Sequence, residues 1–218
     1  MAKLFNYFPK TFYSNGDGNS LDTVTNIITR FGFEQSLKEN ASAFYQYEIQ
    51  DGDTPEIIAH KYYGNVERHW IVLMFNDIID PHFDWPMESR NLVDYIEAKY
   101  STAEYADTAN TSVSGVSWAK NINHNKKFFK VITTTTGFGG TTTIEKIEMD
   151  AIAHSELDPV SNDYLLQDGS TITETITKES QTYYDYEVEL NENKRKIKLL
   201  KKEFAPGVEK EFRRVIKK

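Results

Sequence analysis

The chain of 218 residues contains no cysteine. Disulfide frameworks, thiol nucleophiles and thiolate metal sites are therefore excluded. Proline occurs 6 times and glycine 11 times, so the places where they do fall punctuate the chain. No apolar run approaches the roughly 20 residues of a membrane span. Residues 1–9 lack the apolar core of a signal peptide, and the expectation is a soluble product made in a reducing cytoplasm. Apolar residues are scarce, at 39% with a mean hydropathy of −0.58, which is lean for one compact domain of this length. Cations are in deficit too, with 25 Lys and Arg against 33 Asp and Glu and a net charge of −8. That balance argues against binding nucleic acid as a main task.

Catalytic and metal-binding patterns are missing as well. His60, His69, His82, His124 and His154 form no His-x-x-x-His pair, so a dedicated zinc site is not expected. Asp77, Asp80, His82 and Asp84 surround Pro81, and carboxylates capping turns explain them more simply than a cation does. Asp53 and Glu56 could be posed as an acid–base pair, but a helix-capping role accounts for them. Residues 137–140 form a Gly-rich turn that no lysine follows at the offset a phosphate loop needs. No catalytic residue, metal ligand or cofactor is expected, and the chain does not read as an enzyme.

What is abundant is aromatic. Phe, Tyr and Trp make up 13% of the chain, with 13 Tyr and 13 Phe, and large rings favour interfaces as well as cores. The composition suggests a modest core with segments that bury rings against partners. Residues 191–218 hold eleven Lys or Arg against four Glu, formally +7, which leaves −15 for the first 190. A basic tail on an acidic body is a docking signal or a solvated helix face.

The most tightly specified stretch is residues 47–76. Tyr47 and Ile49 alternate with Glu48 and Gln50 as in a half-buried strand. Asp51-Gly52 is a turn pair, with Gly52 able to take positive φ. Thr54 or Asp53 can cap the helix that follows, Pro55 suits its first turn, and Glu56 closes a capping box if Asp53 is the cap. Ile57, Ile58 and Tyr62 form an apolar stripe, Tyr63 follows, and Gly64 stops the helix. Val66, Trp70, Leu73 and Met74 then give a second helix its buried face.

These residues carry a resemblance. The strand with Gly52-Asp53-Thr54, the Ile58-Ala59-x-x-Tyr62 helix and a second helix ending near Asn76-Asp77 resemble a LysM module, a small β-α-α-β unit. The longer pattern Thr54-Pro55-Glu56-Ile57-Ile58-Ala59, Tyr63-Gly64-Asn65, His69-Trp70, Asn76 to Pro81 and Asp84-Trp85-Pro86 is narrower. It is similar to the LysM-containing baseplate wedge proteins of contractile-tailed (T4-like) phages. The segment Tyr186-Glu187 and Asn191 to Leu200 resembles the C-terminal signature of the same family. A LysM unit supplies its second strand directly after the second helix, and none is legible there. Either residues 83–85 form a very short strand or a later segment completes the pair. The usual glycan groove flanks that strand and is correspondingly in doubt.

Around the module, residues 1–46 read as an aromatic arm. Phe5, Tyr7, Phe8, Phe12 and Tyr13 lie about Pro9 and the turn-formers 15–19, and a short helix is expected to carry Val24, Ile27, Ile28 and Phe31. These rings suit a partner or the chain's own module about equally. Residues 47–100 form the module with one additional helix from about residue 88, carrying Leu92, Tyr95, Ile96 and Tyr100. Residues 101–180 are a Thr/Ser-rich β insertion, with strands expected over 128–136, 141–149 and 171–177. In 181–218, alternation of Tyr184, Tyr186, Val188 and Leu190 favours a hairpin with 194–200, although a helical reading also exists. Pro206 then opens a basic helix with Val208, Phe212, Val215 and Ile216 inward and Lys210, Arg213, Arg214 and Lys217 outward.

The expected fold class is α+β: a small LysM-like β-α-α core with an extended N-terminal arm, a β-rich insertion and a C-terminal hairpin plus helix. The resemblance implies a non-catalytic virion protein of the tail baseplate, assembled in the host cytoplasm, which joins wedge subunits to each other and to the central hub or tube. Partners would be other baseplate proteins in several copies per particle, with no nucleic acid and no membrane. The alternative is a LysM-type peptidoglycan-binding module. Candidate interface residues are Phe5, Tyr7, Phe8, Phe12, Tyr13, Trp85, Lys194, Arg195, Arg213 and Arg214. Gly52, Asp53, Thr54, Pro55, Tyr63, Gly64 and Trp70 define the module.

Overall fold

The structure, a computed structural model, describes residues 7–14, 21–28, 31–101, 114–137 and 140–216. In chain order the first half forms β1 (Lys10–Ser14), β2 (Leu21–Thr25), α1 (Gln35–Glu39), β3 (Phe44–Glu48), α2 (Pro55–Tyr63), α3 (His69–Phe75), α4 (Pro81–Asp84) and α5 (Ser89–Tyr100). The second half forms α6 (Gly115–Ala119), β4 (Asn125–Thr136), β5 (Thr142–Met149), α7 (Ala151–Glu156), β6 (Val160–Leu165), β7 (Thr171–Thr182), α8 (Tyr183–Asn193), β8 (Lys196–Leu200) and α9 (Ala205–Ile216). The fold is mixed α+β, as expected. The chain divides into two compact units, one of residues 1–88 and 192–218 and the other of residues 89–191.

The first unit is built on a two-stranded antiparallel ribbon in which β3 pairs with β8, Gln46 opposite Lys198 and Tyr47 opposite Ile197. The strand missing after α3 is thus supplied from far along the chain, the second of the two routes left open by the sequence. Residues 83–85 are not a strand, because Phe83 and Asp84 belong to α4. Helix α2 begins where its residues dictate. Thr54 is the cap, its hydroxyl accepting from Ile57 N, and Pro55 opens the first turn. Gly64 ends it at φ 69, its N–H bonded to His60 O, a left-handed position that a side chain would strain.

The core of this unit gathers Ile49, Ile58, Ile71, Phe75, Leu199 and Leu200, each 2% exposed or less. Beside it lies a cluster of rings centred on Phe212 of α9. Its ring lies 4.3 Å from Phe31, 4.8 Å from Trp70 and 6.3 Å from Phe8, centroid to centroid. Such tilted and edge-on pairs contribute on the order of 1 kcal/mol each beyond the apolar area they bury. Part of the outer edge of β8 is capped by side chains of its own unit. Asn76 both donates to Lys198 O and accepts from Lys198 N, and the Tyr63 hydroxyl donates to Leu200 O.

The second unit joins an antiparallel sheet of order β5-β4-β7-β6 to a small helical core. On the α5 side, Leu92, Ile96 and Tyr100 are buried, the spacing read from the sequence. Gly115 starts α6 against α5 so closely that a Cβ would stand 2.5 Å from Glu97 O and 2.8 Å from Ser101 N. The Glu97 carboxylate accepts from Gly115 N and Val116 N, filling the orphan donors of that helix start. Glu187 on α8 is buried and accepts from Lys99 Nζ at 2.7 Å and the Tyr100 hydroxyl at 2.6 Å. In the sheet itself, Val131 is the one residue of its four strands that is buried.

Two expectations are corrected. The described residues of the expected helix, 22–28 and 31, are not helical. Leu21–Thr25 is β2, paired with β1, and Ile27 and Ile28 are 69% and 84% exposed. Thr23, Val24 and Thr25 are stiff at χ1 and take strand geometry once a partner strand is present. Residues 183–193 are helical, so the C-terminal hairpin does not form and β8 pairs with β3 instead. The inward stripe of α8 includes Glu187 and Asn191, buried and four residues apart. Its buried positions are polar, so the helical period is hidden from an apolar count, and the alternation of half-buried Tyr184, Tyr186 and Val188 imitates a strand.

Candidate functional site

The turn between β3 and α2 is organised by Asp53, which is 6% exposed. Its carboxylate accepts from the Tyr47 hydroxyl at 2.7 Å, from Gln50 N at 3.2 Å and from Lys61 Nζ at 2.7 Å. Gly52, at φ 83, makes the turn that brings it there. Asp53 is therefore not the cap of α2, a task that falls to Thr54. Trp85 donates from Nε1 to Asp53 O, so its indole ties down the same loop. Arg195 reaches the loop from the start of β8, bonding Ile49 O and the Asp51 carboxylate, while Glu192 holds its Nε. Strand β3, its turn and strand β8 are thus tied by three side chains.

This node titrates. Burial pushes the Asp53 carboxyl up, but the Lys61 ammonium, the Tyr47 hydroxyl and the Gln50 amide outweigh it and hold it below the usual 3.8. Burial and then the Asp53 charge push the Tyr47 phenol up to about 12. A carboxyl with a depressed folded-state value stabilises fully above its unfolded value and loses that contribution as pH falls through the folded one. Asp53→Asn removes this dependence. In melts from pH 6 down to pH 2, the fall in melting temperature of the parent below about pH 4 is expected to flatten in the variant, which starts lower because the Lys61 pair is gone.

The proposed interface residues separate into two groups. Phe5 lies outside the described residues. Phe8 is 8% exposed and packs against Phe31 and Phe212, and Trp85 and Arg195 hold the Asp53 loop. These three side chains pack or bond within the chain's own first unit. Tyr7 bridges the two groups, its ring edge-on to Phe212 and 4.7 Å beneath the Arg213 guanidinium. Lys194 donates to Phe83 O, and Arg214 pairs with Glu211. The outward-facing rings are Phe12 at 73% and Tyr13 at 57% exposure, on the β1–β2 hairpin, which also offers Leu21 at 68%.

Two further surfaces lie outside the candidate interface residues named from the sequence. An open groove of about 630 Å³ in the first unit is lined by Phe33, Leu37, Trp70, Met74, Val208 and Val215, among others. It arises because the extended segment before α1 packs alongside α3 and α9, a juxtaposition no local pattern encodes. The four-stranded sheet of the second unit is the other. Cross-strand register aligns Ile132 with Ile176, and Ile176 with Val160, and Val160 and Tyr164 are 43% and 49% exposed.

Among the described residues, no group of three or more His, Asp or Glu could hold a metal ion. The Asp80–Asp84 turn caps itself, with Asp84 accepting from Ile79 N and Asp80 N and Asp80 accepting from His82 N. Among the described residues, no helix is long and apolar enough to cross a membrane.

Comparison with known proteins fits these features. Residues 3–214 match the family model described as base plate wedge protein 53. The chain is 29% identical over 85 residues to the baseplate wedge protein gp53 of Enterobacteria phage T4, an overlap of 38% of this chain and 43% of that protein. The aligned part thus spans under half the length of that relative. The family model, by contrast, runs over nearly the whole chain, arm, insertion and tail included. The chain belongs to the base plate wedge protein 53 family, a family of structural proteins of the phage tail baseplate.

Proposed function

We propose that this chain is a non-catalytic subunit that joins baseplate wedges to one another and to the central hub or tube. The unit built from β3, α2, α3 and β8 serves as a LysM-like docking block, and the flanking segments reach neighbouring subunits. The observation that carries this reading is the β1–β2 hairpin. Every residue of β1 is exposed, and so are four of five in β2, with Phe12, Tyr13 and Leu21 turned to solvent. An isolated two-stranded hairpin is marginal in water, and clustered exposed apolar side chains mark interaction sites. Covering these rings with a neighbouring subunit supplies the burial the hairpin lacks.

Glycan binding is the weaker reading. The β-α-α-β order is completed by β8, yet Arg195 and Trp85 tie the Asp51–Thr54 loop to its surroundings and occupy its approaches with protein side chains. Co-expression with the other baseplate wedge proteins of the same genome tests the proposal. A stable complex containing this chain is expected, and Phe12→Ser with Tyr13→Ser is expected to reduce its yield severalfold without lowering the melting temperature of the free chain. Saturable retention on purified cell wall, with no such complex, overturns it.

A further inference from the structure

The two edges of the β3–β8 ribbon are treated differently. Lys201 N bonds Ala43 O and Ile49 N bonds Arg195 O, so with the register of the pair the ladder runs through residues 43, 45, 47 and 49 of the first strand. The N–H and C=O groups of Phe44, Gln46 and Glu48 then point to the outer edge of β3, and those of Lys196, Lys198 and Leu200 to the outer edge of β8. On β8, Asn76 takes both groups of Lys198, and Tyr63 takes Leu200 O. On β3, Gln50 Nε2 takes Glu48 O. No described residue bonds either outward group of Gln46, and Tyr45 and Gln46 are exposed. Capping the middle of one edge with side chains and leaving the middle of its neighbour open creates a template for another strand.

The surroundings of that edge carry positive charge on aromatic faces. Lys201 Nζ lies 5.1 Å from the Tyr45 ring and Lys202 Nζ 5.1 Å from the Tyr62 ring, the two rings meeting edge-on at 6.4 Å. Tyr45 is 57% exposed and Lys202 is exposed. Lys201 and Lys202 are followed by the single acid Glu203, which leaves that patch net positive, whereas Lys198 Nζ is held by Lys38 O.

We infer that β3 accepts an extended, acidic segment of a neighbouring baseplate protein as an added strand, hydrogen-bonded through Gln46 and with a carboxylate near Lys201 and Lys202. This inference rests on the structural role proposed above. Backbone bonds would supply the affinity, and the Tyr45–Lys201 patch would select an acidic or aromatic side chain at the facing position.

Gln46→Pro tests it. The substitution removes the outward N–H and places a ring on the open edge, while the ladder bonds of Tyr45 and Tyr47 are untouched, the one setting in which a strand tolerates proline. In co-expression with the wedge proteins, Gln46→Ala is expected to assemble like the parent and Gln46→Pro to lose at least tenfold in recovered complex. Lys201→Glu combined with Lys202→Glu is expected to weaken assembly several-fold, most visibly at low salt. Hydrogen exchange on the unmodified complex gives a reading independent of any variant: the Gln46 and Glu48 amides should slow at least tenfold on assembly. Unchanged exchange at those amides, or normal assembly of Gln46→Pro, overturns the inference. So does a homodimer of the free chain that Gln46→Pro abolishes, since the edge would then belong to a second copy. A parent chain that enters no complex contradicts the structural role itself, and the added strand falls with it.

Discussion

Phe212→Ala is expected to destabilise the first unit by about 3–5 kcal/mol, the range for truncating a buried aromatic. Phe212 is 7% exposed and its ring meets those of Tyr7, Phe8, Phe31 and Trp70. Those four rings come from the segment before β3 and from α3, so the cavity would open where three stretches of chain meet and none can close it alone. Domains of this size are stable by roughly 5–15 kcal/mol, so the loss is a large share of the total. Urea unfolding followed by tryptophan fluorescence measures it, because Trp70 lies 4.8 Å from Phe212. Arg214→Ala, on the same helix but exposed and paired only with Glu211, should move the midpoint by no more than about 0.5 kcal/mol.

Gly115→Ala is expected to damage the second unit. The added Cβ meets backbone, at 2.5 Å from Glu97 O, 2.8 Å from Ser101 N and 2.9 Å from Tyr100 C, and a backbone cannot swing aside as a side chain can. Either α6 lifts off α5 or the two Glu97 bonds to Gly115 N and Val116 N break. Overpacking of this kind costs about 1–3 kcal/mol, and each unpaired buried donor adds about 1–3 more. Lifting α6 also disturbs Trp118, which stacks on Tyr100 at 5.7 Å. Amide exchange across residues 89–100 and 114–119 should accelerate by two orders of magnitude or more. Exchange at the parent rate would show that the close approach is not needed.

The two positions differ in how far the sequence announces them. Phe212 was legible as an inward residue of a terminal amphipathic helix, because Phe212 and Ile216 keep helical spacing and both are buried. Its ring partners were not, since Phe8 and Phe31 lie outside β1 and β2 and no local pattern brings them to Phe212. Gly115 gave no signal, because a close helix approach depends on where α5 lies. The α2–α3 stretch was read well: Pro55, Gly64 and Trp70 each have a local reason to be where they are. The polar helix α8 was misread because Glu187 and Asn191 are buried through partners on other elements. Among the proposed contact residues, exposure followed the same logic. Phe12 and Tyr13 sit on an exposed strand, while Phe8, four residues earlier than Phe12, is drawn into the core by Phe212.

A reconstruction of the assembled phage tail tests the central claim most directly. The account predicts density for this chain in the baseplate, in symmetric copies, with Phe12 and Tyr13 covered by a neighbouring subunit. A tail in which the chain is absent from the baseplate, or in which those rings face solvent, would contradict it.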